Sequence, residues 1–385
     1  MRGGFAHRAS RNLKMTRDLE IRMSGRSVAT RIVVGCGEVD RAGTWVTSLS
    51  PSACVVVSEQ NVLAILGDRV ARSLRSADLP CETFTFAEGE ASKSGATVAA
   101  LHEFFSRVGL DRRGVVIAFG GGVVSDVAGF AAATWMRGVR HVNVPTTLEG
   151  MIDASIGGKT GINLPAGKNL VGAFHHPVLV VMDPQCLGSL PPRDFRAGLA
   201  ESVKHAVVFD EAFVTWHEEN AGKILELDPP ATEVLLRRNA EIKSGVVSAD
   251  PYEETGERAL LNFGHTIGHA IESASGYGLR HGECVALGMA AACRISQRRS
   301  GLSPAEGGRV VRLIRSLELP STLGEAGAKV GGVDVDVVMA RLASDKKAVQ
   351  GRARFVLLEQ IGKACLAEDV SASDVREAVE GVLGV

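Results

Sequence analysis

No two of the seven cysteines stand in a CxxC pair; they are scattered at Cys36, Cys54, Cys81, Cys186, Cys284, Cys293 and Cys365. An odd, scattered set argues against a disulfide framework. Several sit in apolar surroundings, as Cys54 does in ACVVVS and Cys293 in AAACRI. Buried free thiols in a reducing cytoplasm account for this pattern. Net charge is also missing: 43 basic and 44 acidic residues leave −1. No overall basic field therefore marks the chain for nucleic acid or an anionic membrane. No apolar run has the length needed to cross a bilayer, and there is no repeat of solenoid period and no low-complexity tract. What is there is an ordinary globular composition, 45% hydrophobic over 385 residues. That is long for one domain and comfortable for two.

The opening MRGGFAHRASRNLKMTR is basic and has no acid before Asp18. It lacks the apolar core of a secretory leader, so residues 1–28 are expected to be a disordered extension, with Met15 as an alternative start. Beyond it the chain alternates. Short β-branched or apolar runs occur at RIVVG, CVVVS, ETFTF, GVVIAFG, HVNVP and VLVVMD, and helix-like stretches such as NVLAILGDRVARSLRSA and SGATVAALHEFFSRVGL lie between the first four of these. Strands alternating with helices predict βαβ units and a mostly parallel sheet. From about residue 190 helical periodicity dominates, in ATEVLLRRNAEIKSGVV, ERALLNFGHTIGHAIESA, ECVALGMAAACRISQRR and EGGRVVRLIRSLEL. The reading is an α/β domain over 29–190 and a mainly helical domain over 191–385, with a cleft between them as the place for a site.

Two glycine-rich stretches stand out. GVVIAFG runs directly into GGGVVSDVAGFAAATW, so a strand feeds a helix through bare backbone. That arrangement suits a phosphate or pyrophosphate at the helix N-terminus, although it is not GxGxxG and a tight packing turn is the other reading. The second, VPTTLEGMIDASIGGKTGINLPAGKNLVGAF, carries Thr146, Thr147, Asp153, Lys159, Lys168 and Asn169. Lysines and an asparagine among glycines suit anionic oxygens; a solvated loop is the alternative.

The stretch NFGHTIGHA places His265 and His269 one helical turn apart. Spacing alone leaves a metal pair and a pair without ligand role equally open, and Thr266 stands where a zinc protease needs glutamate. A catalytic zinc takes about three protein ligands. Glu201 in GLAESVKHA and His281 in RHGE are the candidates to join His265, leaving His269 to face substrate as an acid, base or hydrogen-bond donor. Lys204 lies on the helical face of Glu201, and Arg258 and Asn262 are expected on the face of His265.

These residues carry a family resemblance. GEASK, GGGVVSDVAGFAAATWMRG, VPTTLEGMIDASIGGKTGIN, GKNLVGAF, GLAESVKHA, RALLNFGHTIGHAIE, HGE and DKK occur in order over residues 30 to 380. The chain thereby resembles the 3-dehydroquinate synthases of the sugar phosphate cyclase superfamily. The resemblance implies an NAD-binding α/β domain, a helical metal domain and a cytoplasmic homodimer. It implies conversion of 3-deoxy-D-arabino-heptulosonate 7-phosphate to 3-dehydroquinate and phosphate with transient use of NAD. It implies Glu201, His265 and His281 as ligands of zinc, with cobalt also suitable. Glu90, Lys93, Gly121, Gly122, Val123, Asp126, Thr146, Thr147, Lys159, Lys168, Cys186 and Ser189 would hold NAD. Lys159, Asn169 and Lys346 or Lys347 would grip the phosphate, with Arg137 reaching it from the partner subunit. Lys243 and Arg258 would clamp the substrate carboxylate beside Asn262, and Asp153, Lys204 and His269 would complete the lining. Two departures are visible: Glu149 stands at a position usually apolar in the family, and DPYEETGER is one residue longer than the common form. Other cyclases of secondary metabolism, of the amino-dehydroquinate, valiolone or deoxy-inosose type, and a metal-dependent polyol dehydrogenase are the competing expectations.

Overall fold

The computed structural model describes residues 29–327, 333–348 and 354–384, the side chains of 344–348 excepted. The expected extension over 1–28 and the side chains of Lys346 and Lys347 lie outside the described residues. The first half alternates β1 (Arg31–Val34), α1 (Ala42–Thr47), β2 (Cys54–Glu59), α2 (Gln60–Ser76), β3 (Cys81–Phe86), α3 (Gly95–Arg107), β4 (Val115–Gly120), α4 (Gly122–Thr134) and β5 (Arg140–Pro145). A hairpin of β6 (Lys159–Leu164) and β7 (Gly167–Phe174) follows, then β8 (Leu179–Met182). All six strands expected from the alternation are present. They form one sheet in the order β1-β8-β5-β4-β2-β3, every neighbouring pair parallel. β2, β4 and β8 are buried along their whole length. This is why they read as unbroken apolar runs rather than alternating ones.

The second half is mainly helical: α5 (Pro192–Phe209), α6 (Glu211–Leu225), α7 (Pro229–Ala249), α8 (His265–Ala274), α9 (His281–Arg299), α10 (Pro304–Ser316), α11 (Val335–Ala348) and α12 (Ala372–Leu383). Their starts are local chemistry. The Asp210 carboxylate accepts from the Phe213 N–H, that of Asp228 from the Ala231 N–H ahead of which stands Pro229, and Ser303 and Glu306 cap each other. One core joins a sheet face (Val56, Val142, Leu179) to helical residues Leu199, Leu235, Val285 and Leu313. The other sheet face is covered by Leu101, Phe105 and Val127 of α3 and α4. α5 is the shared wall, buried at every residue from Ala197 to Val208.

Three local readings change. The stretch from Gly150, for which a solvated loop was the alternative, is ordered: a π-helical turn, Gly150–Ala154, leads into the β6–β7 hairpin. The C-terminal region, expected to be mainly helical with no strand assigned, also contains an antiparallel hairpin of β9 (Phe355–Gln360) and β10 (Lys363–Ala367). Its apolar run FVLL is too short for periodicity to tell strand from helix. Finally, ERALLNFGHTIGHAIESA is not one helix. A tight turn, Arg258–Asn262, ends at Phe263, and Gly264 takes φ +79 before α8 begins. Arg258 and Asn262 therefore do not share a helical face with His265.

Candidate active site

The site is built where α8 and α9 meet α5. Glycines make the approach close. A Cβ on Gly282 would lie 1.8 Å from the Ala197 carbonyl oxygen, and one on Gly288 would lie 1.9 Å from that of Gly264. Backbone-on-backbone contact of this kind draws the first residues of α8 and α9, His265 and His281, towards Glu201 of α5.

Glu201 Oε1 is buried and has no hydrogen-bond partner among the described residues. It lies 3.5 Å from His265 Nε2 and 3.4 Å from His281 Nε2. Each ring has its other nitrogen committed: His265 Nδ1 faces the Phe263 carbonyl at 3.2 Å, and His281 Nδ1 faces Glu272 Oε2 at 3.2 Å. Both Nδ1–H groups donate outward, which turns both Nε2 lone pairs on the same carboxylate oxygen. Three acceptors around one point call for a cation. Two ligands of one tetrahedral zinc stand about 3.4 Å apart, given bonds of roughly 2.1 Å, so these residues fit a divalent metal.

The electrostatics agree. Burial, with Lys204 close by, pushes His265 down to about 3, so it is a bare acceptor at neutral pH. His281 is held well above the imidazole range: burial opposes its charge, but Glu201 and Glu272 outweigh burial. The site thus draws a positive charge onto itself, as a proton or as a metal. Glu201 is held well below the carboxylate range against burial, chiefly by Lys204 and His265. His269 lies in the same group, its ring 5.3 Å from that of His265 and 5.6 Å from that of His281, with nitrogens of the three rings all within 4.8 Å.

Around this centre lies a chain of charges. Lys204, 1% exposed, pairs with Glu201. Lys243, also buried, pairs with Asp153. Burial would raise the Asp153 carboxyl, but Lys243 and Lys204 hold it well below the usual range. Lys168 reaches Glu272 at 2.9 Å, so Glu272 ties the β6–β7 hairpin to His281. Arg258 is buried and donates to the Gly157 carbonyl at 2.8 Å and the Pro251 carbonyl at 3.0 Å. Lys159 pairs with Glu253 at 2.6 Å, which involves the lengthened DPYEETGER segment. Glu149 is inside the charged group, and burial raises its carboxyl.

On the sheet side, Gly121 precedes α4 without any side chain to cap it, so the amides of the first turn stay available to an anion. A Cβ on Gly121 would come to 3.2 Å from Thr147, and one on Gly122 to 3.3 Å from Ala154. This bare cradle fits a dinucleotide pyrophosphate. Lys93 bridges Asp126, at 2.5 Å, and Asn169. Burial lifts Asp126 to about 6 against the pull of Lys93. Asn163 joins the group by donating to Glu90 at 2.7 Å. The backbone N–H of Thr146 donates to Gly120 at the strand end.

Other expected residues are not joined to these contacts. Cys186 is fully buried in the main core, its thiol pushed up to about 12 by burial, and the Ser189 hydroxyl donates back to its carbonyl. Val123 packs on the core beneath α4. Asn262 is exposed, as is Arg137, which has φ +65 after Met136 at +49. Conversely, Glu272 was overlooked in the sequence. It lies two turns after His265 on α8, so the helical spacing that paired His265 with His269 would have pointed to it.

A family model described as 3-dehydroquinate synthase N-terminal matches residues 83–197, and one described as 3-dehydroquinate synthase C-terminal matches residues 198–348. A 3-dehydroquinate synthase of Symbiobacterium thermophilum is 44% identical over 356 residues, which cover 91% of this chain and 97% of that protein. Among solved structures, a 2-epi-5-epi-valiolone synthase of Streptomyces hygroscopicus with NAD+ and Zn2+ bound has a TM-score of 0.84 at 31% identity, covering 94% of this chain and 99% of that one. A 2-deoxy-scyllo-inosose synthase complexed with carbaglucose-6-phosphate, NAD+ and Co2+ has a TM-score of 0.83 at 26% identity, covering 92% and 96%. By this identity over nearly its full length, the chain belongs to the 3-dehydroquinate synthase family.

Proposed function

We propose that this protein is a 3-dehydroquinate synthase, a phosphate-eliminating cyclase that converts 3-deoxy-D-arabino-heptulosonate 7-phosphate to 3-dehydroquinate and phosphate. The observation that carries the reading is one buried wall that joins the Glu201, His265 and His281 acceptors to the ammonium of Lys204 and the Lys243–Asp153 pair. Such a wall can hold a hydroxyl to be oxidised and a substrate carboxylate at the same time. Glu201, His265 and His281 would hold zinc or cobalt, and the glycine turn before α4 would hold NAD. When bound, the metal supplies Lewis acidity to the reacting hydroxyl and NAD a transient acceptor for its hydride.

The chain's own residues do the positioning. Lys204 stays charged because Glu201 and Asp153 outweigh its burial, and so keeps Glu201 anionic. Lys243 and Arg258 would receive the substrate carboxylate. Lys159 and Asn169, with Lys346 or Lys347, would grip the phosphate, and His269 would face the reacting sugar. The leaving phosphate can itself take the proton next to the ketone, so no dominant protein base is required. We place the α/β unit at 29–190 and the helical unit at 191–385, and the working form as a cytoplasmic homodimer in which Arg137 of a second copy reaches the phosphate. The exposed Leu164, Leu170 and Phe174 of the β6–β7 hairpin support such a covered face. The buried thiols Cys54, Cys186, Cys284 and Cys293 support a reducing compartment. Among the described residues no helix is long and apolar enough to cross a membrane.

The test is phosphate release by the zinc-loaded enzyme from the heptulosonate phosphate, with NADH absorbance followed in parallel. Dehydroquinate formed with phosphate and no net NADH is the expected result. Release from sedoheptulose 7-phosphate or glucose 6-phosphate alone would instead make the protein a cyclase of the kind it resembles in fold. Net NADH with a polyol would make it a dehydrogenase.

A further inference from the structure

The one histidine of α5 stands behind this wall and enters none of the roles above. His205 is fully buried, and its Nε2 has no hydrogen-bond partner among the described residues. That nitrogen lies 3.9 Å from Asp153 Oδ1, too far for a direct hydrogen bond. Which proton His205 carries can be worked out from a buried chain of hydrogen bonds across α5, α6 and α7.

The chain starts at a backbone carbonyl. His217 Nδ1 lies 2.7 Å from the Phe213 oxygen. A carbonyl only accepts, so Nδ1–H donates. Burial pushes His217 down to about 4, so the ring has one proton and its Nε2 accepts. It accepts from the Ser202 hydroxyl at 2.8 Å. Ser202 Oγ in turn accepts from Asn239 Nδ2 at 2.7 Å. The orientation of Asn239 is settled because Nδ2 also donates to the Leu235 carbonyl at 2.8 Å. Asn239 Oδ1 is therefore an acceptor, and His205 Nδ1, 2.8 Å away, must carry the proton. Burial, with Lys204 near, keeps this ring neutral, its pKa pushed down to about 4. The chain runs one way and ends in a bare Nε2 lone pair facing a carboxylate.

Two acceptors held face to face need a proton donor between them. We propose that His205 is a positioning residue for the reaction: its Nε2 accepts a hydrogen bond from a hydroxyl donor seated against Asp153, and so sets the orientation of the Asp153 carboxylate towards Lys243. The donor is a water molecule in the resting enzyme or a hydroxyl of the bound sugar. A second metal is a poor occupant, because, of the carboxylates gathered here, Glu201 is already directed at His265 and His281, and Asp153 is paired with Lys243. The inference rests on the proposed synthase activity for its kinetic consequence but not for its tautomer.

Two substitutions separate structure from positioning. His205→Gln keeps an acceptor near the place of Nε2 and gives up the bond to Asn239. His205→Asn keeps a donor for Asn239 and leaves nothing facing Asp153. We expect His205→Asn to lower kcat about 10- to 100-fold with KM changed less, and His205→Gln to recover most of that loss. Equal kcat losses in both, or full activity in His205→Asn, would overturn the proposal. Independently, nitrogen-15 spectra of histidine-labelled wild type, with the His205 signal identified by its loss in His205→Gln, should show Nδ1 protonated and Nε2 bare at neutral pH. A protonated Nε2 would overturn the assignment whatever the enzyme turns over. A bare Nε2 in a protein without synthase activity would leave the tautomer standing and remove the proposed function instead. Repeating the spectra with the heptulosonate phosphate distinguishes the donors: an unchanged Nε2 shift assigns water, a moved one the sugar hydroxyl.

Discussion

Glu201 Oε1 and His281 Nε2 lie 3.4 Å apart inside the protein, and the His281 Nδ1–H is already given to Glu272. The pair cannot be read as an ordinary salt bridge alone, because His265 points a third acceptor at the same oxygen from 3.5 Å. Removing one acceptor should therefore act on a cation before it acts on the fold.

His265→Ala is expected to lose metal and activity together, whereas His269→Ala keeps metal and loses rate. Metal content by plasma mass spectrometry alongside turnover checks this. Full zinc in both variants would sink the ligand assignment, and loss of zinc in His269→Ala would make His269 a ligand too.

Glu272→Gln leaves an amide where a carboxylate oriented His281 and paired with Lys168. Outer partners of metal-bound histidines are worth about 10- to 100-fold in affinity, and a drop of that order is expected here. Competition with a chromophoric chelator measures it. Wild-type affinity would mean that Glu272 serves only the hairpin.

Gly157→Ala tests the carboxylate clamp. Gly157 has φ +104, and a Cβ there would meet Arg258 Nη2 at 2.4 Å, so the guanidinium must move. KM for the heptulosonate phosphate should rise about tenfold, equivalent to about 1.4 kcal/mol, with zinc content unchanged. Unchanged KM would show that Arg258 does not hold the substrate.

The buried histidines make the fold acid-sensitive. Burial pushes His141 down to about 3 and His217 to about 4. In the unfolded chain both titrate near the usual value of about 6.5. As pH falls below that value the unfolded chain takes up protons that the folded one refuses, so stability drops. The loss continues down to the folded values and amounts to at most about 1.4 kcal/mol per pH unit for each histidine. Urea midpoints at a series of pH values should show this slope, and His141→Gln should reduce it. A flat profile through this range would mean that neither ring stays neutral in the fold.

Much of this was legible along the chain. The six sheet strands followed from short β-branched runs spaced by helical ones. Glu201 and Lys204 were seen to share a face because residues three apart on a helix do. The turn at Gly264 was missed because the apolar spacing of RALLNFGHTIGHAI continues through it, while the left-handed residue that breaks the helix shows only as one more glycine. The β9–β10 hairpin was missed because four apolar residues in a row fit either element.

Backbone conformation answers largely to neighbours within about a turn, so the amino-acid sequence by itself determined most of the strands and helices, the β9–β10 hairpin and the break at Gly264 excepted, and which side chains share a face within each unbroken helix. It also determined the set of acids, histidines and lysines available. Only the tertiary structure decided how they pair: that α8 and α9 close on α5 through glycines, that Glu272 orients His281, that Arg258 turns to Gly157, and that the proton on His205 is set by Asn239. Those outcomes depend on burial and on contacts between distant segments. Burial decides which groups keep their charge, and a hydrogen bond from a distant helix decides which nitrogen keeps its lone pair.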